Sequence, residues 1–155
     1  MKPTSVLAIL AALAAGCAAG PAGHHAGHAP VAPDARVAVD FPEPLRTHTL
    51  ANMRDHLLAL QEIQQALATG AYDRASTVAE NRLGMTSLKS HGAHDVAKFM
   101  PEGMQAIGTQ MHRSASRFAM EATNAGVTGD VKPALGALAA VTAQCVACHA
   151  GYRMK

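Results

Sequence analysis

Apolar residues recur at alternating steps of three and four along most of the chain after residue 42, the spacing of one face of an α-helix. The first such stripe follows Pro42 and Pro44 and stops at Gly70, a residue type that commonly ends helices. Its members are Leu50, Met53, Leu57, Leu60 and Leu67. The pattern therefore predicts a first amphipathic helix between these prolines and Gly70.

A second helix is predicted from Tyr72-Asp73, where an acidic residue suits the first turn, to a break at Gly92. Its stripe consists of Ala75, Val78, Met85 and Leu88. Residues 91–100 are then expected to form a connector that holds at most one short turn.

A third helix is predicted to open at Pro101-Glu102, because proline suits a first helical position, and to close at Asn124-Ala125-Gly126. The fourth begins near Thr128–Asp130 and accommodates Pro133 in its first turn. The third stripe is Met104, Ile107, Met111, Ser114 and Phe118, and the fourth is Val131, Leu135, Leu138, Thr142, Cys145 and His149.

Four amphipathic segments joined by short breaks predict an all-α fold, an antiparallel four-helix bundle over residues 42–155. Composition agrees, since apolar residues make up 49% of the chain and aromatic ones only 3%. Alanine, leucine and methionine favour helices. No alternating strand pattern competes. The formal charge of +2 is scattered, without the basic run that would follow a phosphate backbone, so no nucleic-acid partner is expected.

The N-terminus reads as an export signal. Residues 1–16 carry one lysine and an apolar core shorter than the ~20 residues that span a bilayer. They run into Leu13-Ala14-Ala15-Gly16-Cys17, which resembles a bacterial lipobox, so Cys17 is the predicted lipid attachment site. Ordinary cleavage that leaves a soluble protein is the alternative.

Residues 17–41, rich in Ala, Gly, Pro and His, are predicted to be a flexible tether. Its His24, His25 and His28 either bind a transition metal loosely or simply belong to the spacer. We favour the second interpretation, because no rigid frame holds these side chains in place.

The most specific motif is Cys145-Val146-Ala147-Cys148-His149, the CxxCH pattern of covalent haem attachment. On a helix these residues project from one face, so two thioether bonds would hold a haem whose iron the histidine reaches. A thiol–disulfide site normally opens a helix, whereas this pair closes one. A zinc site would need ligands from distant histidines.

"CVACHAGYR" and its place at the end of a four-helix chain resemble the cytochrome c-prime family, the class II c-type cytochromes. Tyr72-Asp73 at the start of the second helix also resembles that family's pattern. The resemblance covers residues 44–155. It implies one covalent haem c on Cys145 and Cys148, with His149 as an iron ligand and Arg153 beside a haem propionate.

The resemblance also implies that Met53, in the first helix, is the candidate sixth ligand of the iron. Met85, Met104, Met111 and His56 are its rivals, and core packing is the alternative role for a methionine on an apolar stripe. The family's usual arginine one turn earlier is replaced by Thr49. His56 is expected at the bundle edge, and His91, His94 and His112 are expected to be surface or partly hydrogen-bonded side chains.

The function expected from these features is non-enzymatic: an exported monohaem cytochrome that carries single electrons. The alternative is a five-coordinate haem protein that binds nitric oxide or carbon monoxide. Expected partners are a periplasmic redox protein, the membrane through a lipid on Cys17, and a second copy, since the family often dimerises. Ala18 after the cysteine favours the outer membrane.

Overall fold

Helices dominate the computed structural model, which describes residues 33–155: 74% of these residues are helical, in five helices. The predicted all-α class is confirmed at this level. The elements in chain order are β1 (Val37–Val39), α1 (Leu45–Ala68), α2 (Tyr72–Arg82), a 3₁₀ turn (Met85–Leu88), α3 (Ala93–Ala97), α4 (Glu102–Thr128), α5 (Lys132–Gly151) and β2 (Tyr152–Met154).

Glycines with positive φ mark the ends of two long helices. Gly70 follows α1 with φ 71°, as its stripe predicted, and Gly129 caps α4 with φ 76°. The predicted closure of this helix at residues 124–126 is therefore wrong. Gly126 continues the helix and lies beside Tyr72. A Cβ added at Gly126 would be 3.5 Å from the Cβ of Tyr72, which is an ordinary van der Waals contact.

The second helix is shorter than predicted and ends at Arg82 instead of reaching Gly92. The backbone N–H of Gly84 donates to the carbonyls of Ala79 and Glu80, which closes the helix. A Cβ at Gly84 would collide with Glu80, so this turn requires glycine. Met85 and Leu88 consequently belong to the separate 3₁₀ turn.

The helices pack through alanine. α4 lies against both α2 and α5, and α1 lies against α2. Nine of the fifteen buried residues in the main core cluster are alanines from these helices, with Phe118, Ile63 and Leu83 as its large side chains. Small side chains let helices approach closely. Within residues 33–155, α1 and α5 make almost no direct contact with each other.

A two-stranded parallel ladder joins the two ends of this unit. Val37 pairs with Tyr152, Ala38 with Arg153 and Val39 with Met154. Val39 and Phe41 are buried against Val96 and Met104 in a second core cluster. The predicted tether over residues 17–41 is therefore too long. The compact unit begins at Asp34. Val39 and Phe41 belong to it because their side chains are buried, whereas a flexible tether would have left them exposed to solvent.

The weakly packed side of the molecule forms a groove between the end of α1 and the beginning of α5. Its volume is about 300 Å³, and it is lined by Gln64, Leu67, Ala68, Val131, Leu135 and Leu138. Val131, Leu135 and Leu138 line one side of the groove and are spaced by four and three residues, so they lie on one face of α5. The same face continues toward the C-terminus.

Replacing Phe118 by Ala should lower the free energy of unfolding by about 3–5 kcal/mol, because a fully buried ring is lost and a cavity remains. Phe99→Ala is the matched control and should cost well under about 1 kcal/mol, because 43% of Phe99 is exposed. Urea unfolding followed by circular dichroism measures both. Equal losses would contradict the described core.

Candidate functional site

The CxxCH motif lies in the last two turns of α5. Cys145 packs against the main core cluster, Cys148 packs against the second cluster, and both are half-buried free thiols. His149 follows on the same helix and is exposed. The helix ends at Gly151, and Tyr152 turns into extended backbone with φ −134°. The three motif residues therefore project from one helical end, with the cysteines turned toward protein.

Burial raises the pKa of both thiols above the ordinary value, and the neighbouring sulfur adds to this effect at Cys148. A thiol–disulfide catalyst needs a lowered thiol pKa, so the electrostatics count against that alternative. As the side chains stand in residues 33–155, no three His, Cys, Asp or Glu residues are arranged to hold a metal ion. The zinc alternative for the cysteine pair gains no support.

His149 shares the groove-facing stripe of α5. It lies 18 residues after Val131, which is about five helical turns, so the two point the same way. Val146 on this flank is 68% exposed. α5 is apolar and long enough to cross a membrane by length and composition, yet only 17% of its most apolar 18-residue window is buried, and a single such helix is weak evidence for a span. Residues 33–155 therefore leave an apolar face of α5 uncovered.

Met53 belongs to the α1 stripe that reaches the groove at Leu67. Met53, Leu60 and Leu67 are spaced by seven residues and share a face of α1, and Leu67 lines the groove. Met53 is 36% exposed and Leu57 is 71% exposed. Leu45 at the start of α1 and Cys148 at the end of α5 pack against the same cluster. The start of α1 and the end of α5 therefore meet at one cluster, and Met53 lies eight residues after Leu45.

Arg153 lies in β2 and forms an ion pair with Asp34, its Nε 3.3 Å from the carboxylate. Arg36 also binds Asp34 and donates a hydrogen bond of 3.3 Å to the backbone carbonyl of His149. The hydrogen bonds from Arg36, with a smaller contribution from Arg153, lower the pKa of Asp34 to about 2. Two guanidinium groups therefore lie beside the C-terminal end of the motif.

Tyr152 also belongs to this end and packs against the second core cluster. A Cβ on Gly103 would lie 2.5 Å from its hydroxyl, so the absence of a side chain in the first turn of α4 makes room for the phenol. Cys17, the predicted lipid attachment residue, lies outside the described residues, as do the signal segment and His24, His25 and His28.

Sequence reasoning missed a cluster of three imidazoles, defined here as the histidine cluster: His56 of α1, His91 of the connector and His112 of α4. His112 is 92% buried and its Nδ1 lies 2.7 Å from the carbonyl oxygen of Leu83. His56 was expected at the bundle edge, and its Nε2 is instead enclosed without a partner. The expectation for His56 is therefore wrong, and His56 shares a helical face with the buried Ala59. His112 was expected to be a surface or partly hydrogen-bonded side chain, and it is buried and hydrogen-bonded through Nδ1.

Burial is the largest influence on all three imidazoles. It lowers the pKa of His56 from 6.5 to about 4, with smaller contributions from His91 and His112, and it lowers the pKa values of His91 and His112 too. Nearby Asp55 is held by Arg82 at 2.5 Å, and Arg82 also binds Glu62 at 2.9 Å. All three pKa shifts therefore favour the neutral imidazoles.

No family model, curated protein or solved structure matches this chain.

Stability should fall as the pH falls from 6.5 to 4. In this window the unfolded chain binds a proton at His56 and the folded chain does not, so up to about 3 kcal/mol is lost. His56→Gln should flatten the pH dependence of the unfolding free energy there, whereas His94→Gln should not, because His94 is exposed. Denaturant titrations across the window measure both. An unchanged slope in His56→Gln would count against the buried neutral imidazole.

Proposed function

We propose that this chain is an exported monohaem c-type cytochrome, built as a four-helix bundle, that carries single electrons. One observation carries the proposal: the CxxCH residues lie on the helix whose apolar face the described protein leaves uncovered. A haem bound through Cys145 and Cys148 would supply both the missing cover for that face and the redox centre.

The residues present fit such a group. The two thiols are unpaired, lie one turn apart and are half-buried at the end of α5. The facing flank of α1 carries the exposed apolar side chains of Met53 and Leu57. A planar apolar macrocycle between α1 and α5 would bury these surfaces, because within residues 33–155 these two helices have the least mutual contact of the neighbouring pairs in the proposed bundle.

Each residue of the site then has a role. His149 would donate its imidazole nitrogen to the iron from α5, and Met53 would offer a thioether from α1. A soft thioether opposite an imidazole favours the reduced state and raises the reduction potential. Arg153 would pair with a propionate, and Arg36, bound to the His149 carbonyl, would hold the turn that carries the motif. The chemistry is outer-sphere electron transfer, so the chain has no catalytic residue in this account.

A gas-binding haem protein is the second candidate, and one observation favours it. Met53 is 36% exposed and is not among the residues packed into either core cluster, so nothing in the described packing holds its sulfur in place. A sixth position without a protein ligand would admit nitric oxide or carbon monoxide.

The proposed setting follows from the N-terminal segment. Cleavage before Cys17 and acylation of this residue would attach the protein to the outer membrane on its periplasmic side, where a soluble redox protein could meet the haem edge. The proposed partner is therefore a periplasmic redox protein.

Met53→Ala should convert the ferrous protein from a six-coordinate low-spin species, with sharp α and β bands, to a high-spin species that binds carbon monoxide rapidly. The reason is the loss of the thioether ligand. Met120→Ala is the matched control, because Met120 lies on α4 and is 62% exposed. Optical spectra of the reduced proteins, with and without carbon monoxide, measure the change.

Two results would decide against the carrier. If the wild-type protein is already high-spin and binds carbon monoxide as fast as Met53→Ala, the gas-binding function replaces it. If the low-spin spectrum survives in Met53→Ala, another residue is the sixth ligand.

A further inference from the structure

The histidine cluster brings together three imidazoles from three separate elements. The ring centroids of His56 and His91 are 4.8 Å apart, those of His91 and His112 are 5.4 Å apart, and those of His56 and His112 are 6.3 Å apart. The proposed haem site, with His149 and Met53 as the iron ligands, uses none of these three residues. The cluster therefore needs an explanation of its own.

The hydrogen bonds of the cluster leave ring nitrogens available. Nδ1 of His112 lies 2.7 Å from the carbonyl oxygen of Leu83, which accepts its proton and leaves Nε2 with a lone pair. Nδ1 of His91 lies 3.4 Å from Oγ of Ser87. A backbone carbonyl on the far ring nitrogen is the usual outer partner of a metal-binding histidine, because it fixes the tautomer and the ring orientation.

His56 supplies the second observation. Its Nε2 is enclosed by protein and has no hydrogen-bond partner, and it alone has this property among the side-chain nitrogens and oxygens of the described residues. An unpartnered buried polar atom costs about 1–3 kcal/mol. Aromatic packing of the three rings would account for their proximity but would leave this cost in place, whereas a coordinated ion would remove it.

The nature of the donors indicates which ion would bind. All three donors would be imidazole nitrogens, and the carboxylate of Asp55, which precedes His56 in α1, is held by Arg82. Imidazole sets without carboxylates suit zinc and copper more than calcium or magnesium. With Zn–N bonds of about 2.0–2.1 Å in tetrahedral geometry, three imidazole centroids lie roughly 5 Å apart, close to two of the observed separations.

As they stand, the three side chains are not arranged to hold an ion, and the His56–His112 pair is the widest. His56 and His112 belong to long helices, whereas His91 lies between the 3₁₀ turn and the five-residue α3. Adjustment is therefore easiest at His91 and in the side-chain torsions of the other two rings.

We propose that His56, His91 and His112 form a second metal site, which binds one zinc ion through three imidazoles and leaves the fourth position to water. Binding would fasten the connector, residues 91–100, to α1 and α4. The site is separate from the CxxCH motif and does not depend on the haem proposal.

Isothermal titration of the mature full-length protein with zinc chloride, after treatment with a chelator, tests this proposal. All proteins carry Ala at His24, His25 and His28, so that the N-terminal segment adds no binding. One equivalent of zinc should bind and raise the melting temperature. His91→Ala should weaken binding at least about tenfold and abolish the rise in melting temperature.

His94→Ala is the matched control, because His94 lies three residues away in the same connector with an exposed ring. It should bind zinc as the parent does. His56→Gln provides a second ligand variant in case His91→Ala unfolds, and it should also weaken binding. The proposal is wrong if the parent protein binds no zinc, if the folded ligand variants bind it as tightly as the parent, or if His94→Ala loses binding equally.

Discussion

Close packing of α4 against α2 and α5 through alanine is the constraint from which the shape of the site follows. Ala115, Ala119 and Ala122 of α4 are buried in the main cluster, together with alanines of α2 and α5. Because these side chains are small, the three helices are held together along their length, with Phe118 filling the centre. The alanine contacts stop short of joining α1 to α5, so this side stays open. The groove between α1 and α5 therefore follows from the positions of the buried alanines on the other helices.

The ladder between β1 and β2 fixes the open side at one end. It holds the residues that follow His149 against the strand that precedes α1, and Arg36 adds a hydrogen bond to the last turn of α5. The two helices that flank the proposed haem position are thereby tied through backbone pairing rather than through mutual packing. The space between α1 and α5 is therefore available for the proposed haem, while β1 and β2 stay paired.

Sequence periodicity was sufficient for the existence of α1, α4 and α5, because long apolar stripes are typical of helices. Sequence periodicity did not predict which side of α5 is covered, since Leu135 and His149 of the predicted stripe are exposed. Sequence periodicity was insufficient where the structure of a segment depends on residues that are distant in the sequence. Val37–Val39 becomes a strand only because Tyr152–Met154 lies beside it, and no local pattern reveals a parallel pairing across the whole domain. α2 ends early because Gly84 fits against Glu80. The histidine cluster was missed because each histidine was judged on its own element, whereas the cluster forms where three elements meet.

The most direct test of the covalent haem is a mass measurement of the mature protein produced in a host that matures c-type cytochromes. After proteolysis, the C-terminal peptide that contains Cys145 and Cys148 should carry the mass of one haem. The same peptide from the Cys145→Ser, Cys148→Ser variant should carry none. A wild-type peptide with the mass of its bare amino acids, or a pigment removed by acid and organic solvent, would contradict the account.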